Sequence, residues 1–309
     1  IQDILIFSEK IKKYKKKLVV SSYSIVFEEK YGIPISNYLI EKNKIFLKND
    51  YFKEDIFKKE LFKNIDKEII KRNERIKNLM KIKNINTNKK TLIIAEIGNN
   101  HEGSLKNAKK LIKLAKNAGA NAVKFQTYTT KGLINKKNVK RFKQLQKFEL
   151  SKSDFIKLKN YTKKLKLLFI STPFDIESAK FLVKICDALK IASSDNNYFE
   201  LINQVCSSSK PVIISTGLLK YEEIINLYRK LINKHGNKIK KRLALLHCVS
   251  SYPANDEDLN LKFIQLLKKR IDCTIGYSDH SIGPLASILS VASGADIVEK
   301  HFTISKKFS

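Results

Sequence analysis

From Thr91 onward the chain repeats one rhythm: a short β-branched apolar run, a polar turn, an amphipathic helix. This repetition constrains the fold more than any other feature. The runs are TLIIAEIG (91–98), AVKFQTY (122–128), LLFISTPF (167–174), ALKIAS (188–193), PVIIST (211–216), LALLHC (243–248), CTIGYS (273–278) and DIVEKHFT (296–303). They are too continuously apolar for a sheet with one wet face, which predicts a parallel sheet covered by helices. The helix ends between them are legible. Ser104 is placed to cap a helix over 105–118 that stops at Gly119, and YEEIINLYRKLINKHG stops at Gly236. Eight strands alternating with seven helices predict an α/β fold closed as a (β/α)8 TIM barrel over 91–309, in preference to an open doubly wound sheet. The chain is read as stopping after the eighth strand, before an eighth helix.

Residues 1–90 have a different texture and are expected to form a separate, small α+β or helical segment. A β-rich run, LVVSSYSIVF (18–27), is followed by KIFLKN, and then Ile56, Leu61, Ile65, Ile69 and Ile76 recur at near-helical spacing, predicting one long amphipathic helix over about 54–83. NINTNKK (84–90) reads as a linker. No catalytic constellation lies in this part, and its role is not readable. Because the chain begins at Ile1, it is read as a piece of something longer.

A chain of 309 residues, 43% of them hydrophobic, can bury a large core. The formal charge of +31 invites a nucleic-acid partner, but the lysines are spread over every helical segment and no nucleic-acid motif accompanies them. No nucleic acid is expected; the charge favours a phosphate- or carboxylate-bearing small molecule. Cys186, Cys206, Cys248 and Cys273 stand singly, without paired spacing, which fits a reducing cytoplasm. No apolar run has the length of a membrane span, and no signal-peptide pattern opens the chain.

In such barrels the site forms at the C-terminal strand ends, and here those ends are polar. The first carries Glu96, the second Lys124 and Gln126, the third Ser171 and Thr172, the fourth Lys190, Ser193 and Asp195, the fifth Ser215 and Thr216. The sixth carries His247 and, past it, Tyr252; the seventh Ser278, Asp279 and His280; the eighth Glu299 and His301. Residues two apart share a strand face, so Lys124 points with Gln126 and Glu299 with His301. Lysines and hydroxyls suit a phosphate and a carboxylate, two histidines on adjacent strands suit a divalent metal with open positions, and a carboxylate beside them suits a general base. Each residue alone has a plainer reading. Lys124 and Lys190 read equally as stems at the barrel rim, Glu96 as a turn carboxylate, and His247, between Leu and Cys, as a packed histidine. The coincidence of polar ends on one side of the barrel favours a site.

The ordered set AEIGNNHEGS, VKFQTY, STPFD, KIASSD, ISTG, LLHCVSSYP, GYSDHSIG and VEKHFT resembles the sialic acid (N-acetylneuraminate) synthase family. The resemblance covers residues 91–309. It implies a (β/α)8 barrel followed by a small antifreeze-like domain, in a homodimeric cytoplasmic transferase. The implied reaction condenses phosphoenolpyruvate with an N-acetylated amino sugar, such as N-acetylmannosamine, to a sialic acid and phosphate, with Mn2+ or Mg2+. It implies that His280 and His301 bind the metal and that Glu96 beside it moves a proton. Lys124, Thr172, Lys190, Ser193, Ser215 and Ser278 would hold phosphoenolpyruvate, and Gln126, Asp195 and Tyr252 the amino sugar. Two positions depart from the pattern of many members that use N-acetylmannosamine: Asp195 stands where they have Glu, and Ser250 where they have Asn. Legionaminic or pseudaminic acid precursors therefore remain open as acceptors. So does a catalytically incomplete fragment, because the chain is read as ending before the antifreeze-like domain. The rivals are a 3-deoxy-octulosonate 8-phosphate type synthase and a binding module whose first 90 residues engage an anionic polymer.

Overall fold

The structure, a computed structural model, describes residues 79–87 and 89–305, and in addition the backbone of 38–41 and 44–47. The run expected as a strand at 18–27 and most of the helix expected over 54–83 lie outside the described residues. Tyr38–Glu41 and Lys44–Leu47 pair as an antiparallel hairpin.

Eight parallel strands close into a barrel, each at the run the sequence predicts: β1 (Leu92–Gly98), β2 (Ala122–Thr127), β3 (Leu168–Pro173), β4 (Ala188–Ile191), β5 (Val212–Ser215), β6 (Leu243–Cys248), β7 (Thr274–Asp279) and β8 (Ile297–His301). Closure is made by β8 on β1, where Ile297 faces Leu92 and His301 faces Glu96. Seven helices cross between successive strands: α1 (Leu105–Asn117), α4 (Lys152–Lys164), α5 (Ile176–Ile185), α6 (Phe199–Cys206), α7 (Tyr221–His235), α8 (Lys262–Arg270) and α9 (Leu285–Ala292). Two further helices, α2 (Thr130–Leu133) and α3 (Val139–Phe148), fill the long connection after β2, where the sequence predicts a single helix. Ser104 caps α1 as expected, its hydroxyl accepting from the Asn107 N–H at 3.2 Å.

Two apolar cores sit on either side of the strands. The larger lies between strands and helices, with Phe125, Phe155, Phe169, Leu182 and Tyr277 fully enclosed. The smaller fills the barrel floor with Leu92, Ile94, Ala122, Leu168, Ile170, Ala188, Ile213, Ala244, Leu246 and Ile297. Alternation then explains the site. Two residues beyond the last floor residue of each of these strands, on the same strand face, stand Glu96, Lys124, Thr172, Lys190, Ser215, Cys248 and Glu299. Each strand thus changes from apolar to polar as it rises. At Gly276 the neighbours come too close for any side chain: a Cβ there would lie 2.5 Å from the Ile297 carbonyl oxygen and 2.5 Å from Leu246 Cδ2.

The floor is completed by a part of the chain that reads as helix end and linker. Lys81–Ile82 and Ile85–Asn86 form a short hairpin that places Met80 and Ile82 in the floor core. The Met80 N–H donates to Thr274 Oγ1 at 2.6 Å, and Thr87 Oγ1 donates back to the Met80 carbonyl. Lys83 and Lys159 both pair with Asp187 at 2.7 Å. A barrel must close its end against water, and the apolar residues at alternate positions 80 and 82 do so. Among the described residues, no helix is long and apolar enough to cross a membrane, and all four cysteines are buried and free.

Candidate active site

The polar strand ends converge on one cavity of about 240 Å³, lined among others by Glu96, Lys124, Gln126, Thr172, Lys190, Ser193, Ser215, Tyr252, Ser278, His280, Glu299 and His301. All the residues to which the family resemblance assigns a role lie there except Asp195. That side chain sits in a 3-10 turn after β4, where strand alternation no longer applies, and accepts from Ser194 Oγ at 3.1 Å.

Four charged groups occupy the centre. Lys124 Nζ lies 3.1 Å from Glu96 Oε2 and 3.5 Å from Glu299 Oε1, and donates to Thr172 Oγ1 at 3.3 Å. Lys190 Nζ donates to Ser215 Oγ at 2.6 Å and stands 3.8 Å from the same Glu299 oxygen, which also accepts from Ser278 Oγ at 3.0 Å. Both lysines are buried, so neither is a stem at the rim. Glu299, to which the sequence assigned no role, is the carboxylate the two ammonium groups share, and its other oxygen, Oε2, has no hydrogen-bond partner. Its period-two spacing from His301 is the signal that marks it.

Charges this far from water must be paired, and the pairing is uneven. Burial drives the Glu96 carboxyl above its ordinary range, with Lys124 opposing and Glu299 reinforcing. Burial pushes Glu299 the same way, but Lys124 and Lys190 overcome it and hold the group well below the usual carboxylate range. Burial lowers Lys124, yet Glu299 and Glu96 more than offset it and the net shift is upward. Lys190 goes down, through burial and the neighbouring Lys124, against Glu299. Two carboxylates with opposed shifts beside two lysines make a site that keeps one anion and lets the other exchange a proton.

Gln126 leans on Glu96, its Nε2 donating to Oε1 at 3.4 Å, while Asn99 Nδ2 donates to Gln126 Oε1 at 3.1 Å. The bend that permits this is Gly98, with φ +52°, at a register shift between β1 and β2; a Cβ there would come within 3.2 Å of Glu96 Oε1. Ser250 Oγ, also lining the cavity, has no hydrogen-bond partner.

His280 and His301 stand at the rim with ring centroids 5.6 Å apart, and Tyr252 lies 4.0 Å from the His280 ring and 5.6 Å from that of His301. His280 Nδ1 donates to the Val249 carbonyl at 2.6 Å, which leaves Nε2 as an acceptor. Burial lowers the His280 pKa and so favours the neutral ring. A neutral imidazole oriented through its other nitrogen is the form that ligates metals, and the two rings are close enough to share one ion. The donor set therefore fits a divalent cation held by two protein ligands with open positions. Among the described residues no cluster of three or more His, Cys, Asp and Glu side chains is arranged around one point. His247 is what its neighbours predict, a packed histidine bonded through Nε2 to the Leu259 carbonyl at 2.7 Å. Ser171 and Thr216 also serve the fold, since Ser171 Oγ bonds Thr127 Oγ1 and the Phe125 carbonyl, and Thr216 Oγ1 donates to the Leu246 carbonyl.

Residues 111–309 match the NeuB family. The chain belongs to the NeuB family. Its relatives include an uncharacterized protein of Methanocaldococcus jannaschii, 44% identical over 70% of this chain and 63% of its own length. An N,N'-diacetyllegionaminic acid synthase of Legionella pneumophila is 38% identical over 69% of this chain and 64% of its own. The chain thus spans slightly less than two-thirds of both relatives. A solved N-acetylneuraminic acid synthetase of Leptospira borgpetersenii, in complex with citrate, superposes with a TM-score of 0.68 at 39% identity, covering 74% of this chain and 79% of that one. The (β/α)8 barrel expected from the sequence is met, and so is the resemblance to the sialic acid synthase family that the motifs carry.

Proposed function

We propose that this NeuB family chain is a transferase that condenses phosphoenolpyruvate with an N-acetylated amino sugar, yielding a nonulosonic acid of the sialic acid type and inorganic phosphate. The observation that carries the reading is the pair Lys124 and Lys190, buried, ringed by hydroxyls and joined through Glu299, with two imidazoles at the rim of the same cavity. Phosphoenolpyruvate carries a phosphate and a carboxylate, and two fixed ammonium groups are the complement such a ligand requires.

Lys124 and Lys190, with Thr172, Ser193, Ser215 and Ser278, hold the two anionic groups and so direct C3 of the enol at the aldehyde carbon of the open-chain sugar. A divalent cation, Mn2+ or Mg2+, held by His280 and His301 would supply Lewis-acid polarisation of a carbonyl oxygen. As C3 bonds to the aldehyde carbon, the aldehyde oxygen takes up a proton and positive charge develops at C2. Water adds to C2 and gives up a proton. The tetrahedral carbon then expels phosphate by C–O cleavage, leaving the keto acid. Glu96, with its raised pKa, is the group suited to move a proton here. Gln126 and Tyr252, which line the same cavity, would face the amino sugar; Asp195, outside the cavity lining, carries no weight in this reading.

The acceptor has a second reading. Ser250 lines the cavity with its hydroxyl unpartnered, and a relative bears the name of a diacetyllegionaminic acid synthase, which favours a diacetylated hexose over N-acetylmannosamine. The test is phosphate release from phosphoenolpyruvate against N-acetylmannosamine, other N-acetylated hexosamines and a diacetamido hexose, with and without manganese. Release that requires both an acceptor and the metal is expected. Binding of phosphoenolpyruvate without release by any acceptor would indicate an incomplete catalytic fragment, and absence of binding would sink the proposal.

A further inference from the structure

Behind the rim, β7 and β8 carry a second polar network that the chemistry above does not use. Asp279, the last residue of β7, lies directly opposite Lys300 in β8, one step beyond the pair Ser278 and Glu299. Because side chains alternate, Asp279 and Lys300 turn away from the interior that Ser278, Glu299 and His301 share. Lys300 Nζ donates to Asp279 Oδ2 at 2.8 Å and to the Ser281 carbonyl at 2.9 Å. The same Oδ2 accepts from Ser287 Oγ on α9 at 2.5 Å, and Oδ1 accepts from the N–H and the hydroxyl of Ser281 at 2.9 and 2.7 Å. The Asp279 side chain is 0% exposed.

The consequence is positional. His280 is bracketed by Asp279 and Ser281, and His301 directly follows Lys300. The paired register of the two strands ends at Asp279 and Lys300, so this ion pair is the last tie between the strands before the imidazoles. An ion pair with one partner wholly buried is a poor device for stability, since apolar residues of similar volume serve at least as well. What it adds is a single register and a fixed direction for the residues that follow.

We infer that the Asp279–Lys300 pair is a positioning pair that sets the separation of His280 and His301 for a divalent cation shared between them. The inference rests on the metal reading of the proposed function, and its test separates the two. Manganese binding would be followed by the electron paramagnetic resonance of the free ion, with the metal-free unfolding midpoint as control. The double variant D279N/K300M removes both charges and strands neither, whereas K300R keeps the cation. Expected is manganese affinity 10–100-fold weaker in the double variant, with its metal-free midpoint within a few degrees of the parent, and recovery of most of the affinity in K300R. Double-variant affinity equal to the parent's would overturn the inference and leave the metal reading standing. Affinity and midpoint falling together would also overturn it, by reducing the pair to a structural role. A parent protein that binds no manganese would overturn the metal reading and this inference with it.

Discussion

Two glutamates face the same lysine from neighbouring strands, β1 and β8, and the environment treats them oppositely because Lys190 stands within ion-pair distance of Glu299 but not of Glu96, and Ser278 donates to Glu299. For Glu299 the folded-state pKa lies below its unfolded value, so it contributes stability above the ordinary carboxylate range that is lost as pH falls through the folded value, about 2. For Glu96 the shift is upward, so its contribution is fully present below the ordinary carboxylate range and is lost as pH rises through its folded value. The two neutral substitutions therefore differ in sign. Glu96→Gln should raise the unfolding midpoint at neutral pH by about 2–4 °C, the equivalent of about 1 kcal/mol, while lowering kcat by about 10²–10⁴-fold if Glu96 moves the proton. Glu299→Gln leaves two buried ammonium groups without their common anion and should cost about 3–5 kcal/mol. Thermal melts and urea titrations at pH 7 check both; destabilisation by Glu96→Gln would mean that Lys124 needs both carboxylates.

At the scale of elements, the strands and the hairpin beneath them show where a sequence is legible. The eight strands were readable because burial on both faces leaves little room for polar residues until the mouth, so each run declares its own polar end. Most of the site followed from that, down to the shared face of Lys124 and Gln126. Asp195 did not, because one 3-10 turn past β4 the period of two no longer says where a side chain points. The floor hairpin was hidden for another reason: Met80 and Ile82 alternate with Lys81 and Lys83 and are followed by NINTNKK, a composition that marks a linker wherever no barrel end needs covering. Met80 is fully buried in the floor core, at the opposite end of the strands from the cavity. Met80→Ala should destabilise by about 2–4 kcal/mol through the space it leaves. Because the floor residues separate it from the lysines, the affinity for phosphoenolpyruvate below the melting transition should not change. A urea titration alongside a binding isotherm tests this, and a weakened isotherm at unchanged stability would show the floor to be coupled to the site.

The charge of the whole chain acts at a longer range than either of these. Inside the cavity, two lysines face two glutamates, so the site's own formal charges cancel while the chain as a whole stands at +31. Any attraction of a distant anion therefore comes mostly from the lysines of the outer surface, and those are screened over about 8 Å at physiological ionic strength. Buried pairs such as Lys124 with Glu96 are screened far less. Salt should accordingly separate capture from chemistry. Raising potassium chloride from about 20 to 200 mM, at fixed manganese, should lower kcat/KM for phosphoenolpyruvate several-fold by raising KM, and leave kcat within a factor of two. In the proposed reaction an uncharged amino sugar such as N-acetylmannosamine supplies the internal control, since its kcat/KM at saturating phosphoenolpyruvate should be flat across the same range. If kcat falls as steeply as kcat/KM, salt is reaching the buried charges, and the division between a neutral cavity and a cationic exterior does not hold.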